Sequence, residues 1–414
     1  VALVLGLLLC VATSGARVRR ILRDRFAMGL LVLTLIGAAL IWQGLTEVRE
    51  LNFTRWHSLV PLLFYCFFLG VGDDERTRRF LFKALAVCSL LVVGLCMLAT
   101  ITSGWSVWYY YLDNPIEIDR FMEMSVQQQA ADRAIGIFAN QVFSSTFCMA
   151  AAFVGVALFS LCQNKWEKIL GFLLMTMALA FVIWSQTRFP AILILAVTAI
   201  ASSLLFPLFR SIPRWFNLFL CVLMSPVALW LVVKIFLERD EGLGTGRTDV
   251  WLASLSVTAG SIHNFFLGVG VNGFYEITGE FWHSHNHYLF TALVCGVPFA
   301  ILYYLLLFWQ FRRTYRAVRD MRRGIRDGMP VSNSDLIITY ATFLVFVAFL
   351  IEAFVETTFL NTSRVNVVLY ALMGLTMAQA ASPATSYVEA LDQRALEPDG
   401  PLVIQPSYQE AAPR

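Results

Sequence analysis

The sequence predicts an all-α protein of the polytopic membrane class, and three observations carry that reading. Hydrophobic residues make up 58% of the 414 residues and charged residues only 14%, against roughly 45–50% and about 25% in soluble domains. Mean hydropathy is +0.68, and the apolar residues gather in runs of about 20, the length at which a helix crosses a bilayer. Lys and Arg are concentrated in alternate loops between those runs, as the positive-inside rule requires of a multi-pass chain.

The apolar runs fall at 1–16, 26–43, 56–72, 80–102, 134–162, 169–187, 190–209, 216–237, 287–309, 335–356 and 365–380. That makes about eleven spans, each helical because the bilayer core has no water to satisfy open backbone groups. Pro190 stands where a first helical turn starts, after a break at Gln186-Thr187-Arg188-Phe189. Val1–Gly15 is short and lacks a basic region at its N-terminal side, so no cleaved signal peptide is expected. The eight cysteines lie in or beside apolar runs and read as small core hydrophobes rather than as a disulfide framework or a metal site.

Charge sets the orientation. Twenty Lys and Arg residues fall in one set of loops, around 17–25, 76–83, 165–168, 210–214 and 312–326, while eight fall in the opposite set. The first set is assigned to the cytoplasm. Residue 1 then lies outside, and one further span upstream would give twelve with both ends inside. The expected organisation is a single transmembrane domain over 1–380 and a Pro-rich, disordered cytoplasmic tail over 381–414. The outer face carries two long loops. Loop 103–133 holds Trp105, Trp108 and Tyr109–Tyr111, aromatics suited to a membrane interface. Loop 238–286 contains Arg247–Ala259, whose spacing predicts a helix near the interface with Trp251, Leu255 and Thr258 on one face. The Gly-rich run Gly268–Gly273 follows no strand, which argues against a dinucleotide fold.

The residues able to carry chemistry sit in that outer layer. His283, His285 and His287 form His-Ser-His-Asn-His at the start of the ninth run. Alternate residues of an extended segment share a face, so a metal site is one reading, a helix-capping segment another, and a general base near neutrality a third. Arg188 interrupts about forty apolar residues, and an ionisable group at membrane depth reads as functional. Arg247 opens the interfacial helix, with Asp249 two residues on as a possible partner. Two outer-face arginines suit an anion at the membrane surface, because guanidinium forks match phosphate oxygens bidentately. A lipid diphosphate is such an anion. Glu352 and Glu356 are four apart at the outer end of the tenth run, with Arg364 beyond; they suit an ion pair that fixes helix packing or a place at the site's edge.

Taken in order, these segments resemble the O-antigen ligase family of lipopolysaccharide biosynthesis, within the wider ligase and polymerase superfamily. The resemblance is carried by Gly246-Arg247-Thr-Asp-Val-Trp251, by Leu267-Gly-Val-Gly-Val-Asn-Gly-Phe274, and by His285-Asn-His-Tyr-Leu289 leading into Gly296-Val-Pro-Phe299. The Ser185–Pro190 break with Arg188 is similar to the family's membrane-edge arginine, and the whole likeness spans about 169–300. It implies a fold like the membrane-embedded (GT-C-like) glycosyltransferases with periplasmic loop helices, in a bacterial inner membrane. It implies transfer of a polysaccharide from undecaprenyl diphosphate to a sugar hydroxyl of lipid A-core at the periplasmic face, with inversion and without a metal or other cofactor. On this resemblance His285 is the base and Arg188 and Arg247 bind the diphosphate. His283, His287, Asp249, Glu352, Glu356 and Arg364 are secondary candidates. Membrane lipids are the other expected partners, and nothing calls for nucleic acid.

Three other functions share parts of this pattern. An O-antigen polymerase uses the same donor and a growing glycan as acceptor, and a protein O-oligosaccharyltransferase moves the glycan to Ser or Thr. A transporter would carry polar residues near the middle of several spans, whereas here they gather in one outer layer.

Overall fold

A computed structural model describes residues 14–43, 48–102, 136–137, 141–162, 164–185, 187, 190, 192–194, 247–279, 284, 286–327, 331–354 and 363–380, with the backbone alone at 41–43, 48–59, 102, 141, 247–248, 271–272, 326, 363–365 and 380. Every regular element among these residues is a helix: α1 Gly15–Arg23, α2 Arg25–Gln43, α3 Val48–Val71, α4 Glu75–Thr102, α5 Gln141–Leu161, α6 Lys165–Trp184, α7 Arg247–Ala259, α8 Ile262–Leu267, α9 Gly270–Thr278, α10 His287–Cys295, α11 Val297–Arg326, α12 Asn333–Glu352 and α13 Ser363–Ala380. Four of the described helices, over 75–101, 142–161, 165–184 and 333–352, are long and apolar enough to cross a membrane, and 25–40, 60–71 and 366–379 are shorter apolar helices. The expected run 216–237, the loop 103–133 and the tail 381–414 lie outside the described residues, as do residues 1–13 of the run 1–16 and most of 190–209.

Burial ranks the spans. In α5 and α12, 83% and 78% of the apolar window is buried, against 28% in α4 and 33% in α6. The first two are therefore central and the other two peripheral. The outward side of α4 shows why: Val87, Leu91, Leu95, Leu98 and Ile101 are exposed at helical spacing, a stripe suited to lipid rather than water. Helices meet closely where glycines allow it. A Cβ on Gly155 of α5 would lie 2.7 Å from the Gly171 carbonyl of α6, and one on Gly374 of α13 would lie 2.6 Å from the Tyr65 carbonyl of α3. Small residues at such contacts let backbones approach and are the usual means of packing helices in lipid. Hydroxyls add bonds across α12 and α13, where Thr342 and Thr376 lie 2.8 Å apart.

The predicted ninth run is not one helix. It divides at Gly296, whose φ of 85° and ψ of 158° end α10, and α11 begins with a proline in its first turn. At 30 residues α11 is about 45 Å long by its rise, longer than the roughly 30 Å hydrocarbon layer. Its apolar first half is followed by the run Arg312–Arg326.

The basic segments meet at one end of the bundle. Asp73 pairs with Arg20 and Arg17, Asp24 accepts from Arg313 and from the Tyr65 hydroxyl, each at 2.9 Å, and Arg79 reaches Glu167 at 2.9 Å. Arg78 is buried and grips the Asp335 carboxylate with two nitrogens, at 2.8 and 2.9 Å. Asp74 caps α4, taking the Thr77 amide at 2.8 Å and its hydroxyl at 2.6 Å. These bonds hold the Asp74 carboxyl below the usual carboxylate range. Four of the loops that charge counting groups together, around 17–25, 76–83, 165–168 and 312–326, are thus also grouped by contact, while 210–214 lies outside the described residues.

Candidate functional site

At the opposite end, three loop helices and the α10–α11 break form one assembly. The sequence predicts a helix over Arg247–Ala259, and α7 has those bounds. Of the face Trp251–Leu255–Thr258, only Thr258 is fully turned into the protein. Val250, Ser254 and Thr258 are turned inward, while Leu255 is 49% exposed. The reason is the neighbour: Val250 packs with Phe274 of α9 and Leu293 of α10, with Ala253, Val257 and Val269 around them. That contact sets which side of the helix faces the protein and leaves Leu252 and Leu255 exposed. Ser261 caps α8 through the Asn264 amide at 3.0 Å, and the Asn264 side chain returns to the Val257 carbonyl at 2.9 Å, joining α7 to α8.

The glycine run has a packing role. Gly268 has a φ of 77° and a ψ of −175°, a region that, like that of Gly296, is essentially closed to other residues. A Cβ on Gly268 would stand 2.3 Å from the Val294 carbonyl oxygen, and one on Gly296 would stand 2.3 Å from that of Phe266. Two backbones therefore cross in contact, held by the Val269 amide on the Leu293 carbonyl at 2.8 Å.

The histidine segment is tied to the end of α12. Asn286 caps α10 through the Leu289 amide at 3.1 Å and donates its side-chain amide to the Phe354 carbonyl at 3.0 Å. The His287 amide meets the Ala353 carbonyl at 2.8 Å, so the orphan donor of one helix start meets the carbonyl of another helix end. The Tyr288 hydroxyl adds a bond to Leu350 at 2.9 Å. His287 itself is fully buried, its ring set edge-on to Tyr303 and Tyr304 at 6.2 and 5.9 Å. Its carbonyl accepts from Thr291 and Tyr304 at 2.8 and 2.9 Å.

Beneath this segment lies a buried polar layer. Glu352 is fully buried at the end of α12 and is bonded by Thr146 of α5. On the next residue, Ser145 Oγ lies 2.7 Å from Ser185 Oγ, which lies 2.6 Å from Thr187 Oγ1. The first turns of α5 thus connect Glu352 to the residues that directly precede Arg188. Ser145, Thr146, Ser185 and Thr187 are not singled out by reading the sequence. Their signal is a cluster of hydroxyls in an apolar run, Ser144-Ser145-Thr146, and it gains meaning only beside Glu352.

The predicted site residues therefore divide. His287 and Glu352 come together at the α10–α12 junction, and Asp249 is exposed in the first turn of α7. Arg247 begins α7 and Arg364 lies in the first turn of α13, described by backbone alone. Arg188, His283, His285 and Glu356 lie outside the described residues; α12 ends at Glu352, so the Glu352–Glu356 spacing does not fall on one described helix. Among the described residues no three His, Cys, Asp or Glu side chains gather as metal ligands. No family model matches the chain, and no curated protein sequence is significantly similar to it.

Proposed function

We propose that the chain is an O-antigen ligase: a glycosyltransferase that moves a polysaccharide from undecaprenyl diphosphate to a sugar hydroxyl of lipid A-core. We place it in a bacterial inner membrane with eleven or twelve spans, a GT-C-like arrangement and the site on the periplasmic face. One observation supports this most. The three sequence segments that resemble the ligase family, separated in the chain, pack against one another through Val250, Phe274 and Leu293 and through the crossing at Gly268 and Gly296. They do so at the end of the bundle away from the basic loops. A shared functional layer accounts for the packing of all three segments into one assembly.

The chemistry follows from the side chains. The acceptor oxygen attacks the anomeric carbon as the carbon–oxygen bond to the diphosphate breaks, which inverts the configuration. His285 takes the hydroxyl proton. Arg188 and Arg247 hold the diphosphate and stabilise the charge that grows on it as it departs with the lipid. His287, buried between two tyrosines, serves to dock α10 on α12, which leaves His283 as the alternative base. No divalent cation is required, since two guanidinium groups carry out the neutralisation.

The test is transfer in vitro with purified lipid-linked glycan and lipid A-core. Product on lipid A-core supports the ligase. Extension of the lipid-linked glycan alone identifies a polymerase, product on a Ser/Thr peptide alone a protein glycosyltransferase, and no transfer to any acceptor refutes the proposal.

A further inference from the structure

We propose that the basic end of the bundle, away from the outer layer, binds the phosphate of an anionic phospholipid in a cleft between α4, α6 and α12. The cleft has a volume of about 100 Å³ and is lined by Arg79 and Lys83 of α4 and by Glu167 of α6, over a floor of Phe82, Leu158 and Ile337. By the same measure one water needs about 10–15 Å³, so the space suits a phosphate group and not a sugar chain.

Charge selects the sign of the ligand. Arg79 and Lys83 share the Glu167 carboxylate, and with Glu75 also in the lining the four charges balance; the positive excess comes from the exposed Arg76, Lys165 and Lys168 in the first turns of α4 and α6. The Arg79 side chain is 47% exposed, which leaves part of the guanidinium fork open to the rim. Glu75, also at the rim, is turned to the Ser332 hydroxyl at 2.6 Å, the residue that caps α12. The first turn of α12, Asn333 and Ser334, faces the same cleft and adds the positive end of a helix.

Depth selects a lipid over a soluble phosphate. Trp166 is 68% exposed in the first turn of α6, with the Lys165 ammonium 5.5 Å from its ring centre. An exposed tryptophan at a helix end marks the headgroup level. One turn on, Ile169, Phe172 and Leu173 are exposed apolar residues on the outward face of α6, so the apolar layer begins within a turn of this level. A basic pocket between spanning helices at the side assigned to the cytoplasm is the setting in which anionic headgroups bind.

The experiment uses the full chain in neutral detergent, with bound lipid read by native mass spectrometry against phosphatidylglycerol, phosphatidylcholine and soluble glycerol phosphate. Phosphatidylglycerol should be retained over phosphatidylcholine, and the double variant Arg79→Ala/Lys83→Ala should lose about tenfold or more of that preference. Arg319→Ala, which removes an arginine bonded to its own neighbour Asp320, should leave the preference intact. Lys83→Gln keeps the Arg79–Glu167 contact and decides the matter should the double variant fail to fold. Equal retention of the two lipids, an unchanged preference in both cleft variants, or an equal loss in Arg319→Ala overturns the site. Competition by glycerol phosphate as effective as that of the lipid overturns the lipid assignment.

Discussion

Single side chains at this protein's two ends answer to different physics. Arg78 and Asp335 are buried at the basic end, joined by two parallel bonds. Asp335→Ala would leave the guanidinium without its anion inside the bundle and should cost about 3–5 kcal/mol, read as a lowered midpoint of thermal unfolding in detergent. On the proposed function, changes at the residues assigned to catalysis should act on rate. His285→Ala should lower transfer by about 10²–10⁴-fold while donor binding persists, because the base acts on the acceptor hydroxyl. Arg188→Ala and Arg247→Ala should weaken donor binding as well, and Lys should rescue them poorly, since an ammonium cannot reproduce the bidentate fork. His287→Ala should instead act on stability, removing a ring packed edge-on between two tyrosines. If His287→Ala abolishes transfer in a fully stable protein while His285→Ala does not, the assignment of roles within His-Ser-His-Asn-His is wrong.

Among the elements, the crossing of the α8–α9 connection over the α10–α11 break makes the sharpest demand. Gly268 and Gly296 each adopt positive φ, and each faces a backbone carbonyl that a Cβ would strike at 2.3 Å. A flexible side chain could yield to such a clash, but a peptide group in a packed helix cannot. Gly268→Ala and Gly296→Ala should each cost about 1–3 kcal/mol for the strained backbone alone, with more for the displaced chain. They should also raise the susceptibility of the 247–279 segment to limited proteolysis. A Gly155→Ala change at the α5–α6 contact has a backbone neighbour too, at 2.7 Å, and should destabilise the hairpin without touching the outer layer. Equal proteolytic resistance of Gly268→Ala and the parent would show that the crossing does not hold the loop helices in place.

The whole molecule is a bundle with two unlike ends, and its orientation can be measured directly. Cysteine labelling by a membrane-impermeant reagent from the periplasmic side should reach Glu241→Cys in the 238–286 loop and not Arg323→Cys at the end of α11. The reverse pattern would invert the topology and remove the proposed access of a periplasmic acceptor. Transfer should also survive chelation by EDTA, because two arginines are assigned the work of a cation. Loss of transfer restored by one particular divalent ion would move the histidine trio from base to ligand.

The sequence by itself determined the helical class and, among the described residues, the approximate position of the apolar helices and the grouping of the basic loops. Those properties are local. A 20-residue apolar run has one way to satisfy its backbone in lipid, and Lys and Arg positions are read by simple counting. It also set the bounds of α7, because Arg247–Ala259 is a short helix flanked by glycines at 244, 246 and 260. Contact between distant segments decided the rest. The inward face of α7 is Val250–Ser254–Thr258, since Phe274 and Leu293 supply the partner surface. The ninth run is two helices, since Gly296 must admit the Phe266 carbonyl. Thr146 matters only because Glu352, 206 positions away in the chain, is buried against it. Periodicity records which residues avoid water or lipid; which residues they meet instead is a property of the packed chain.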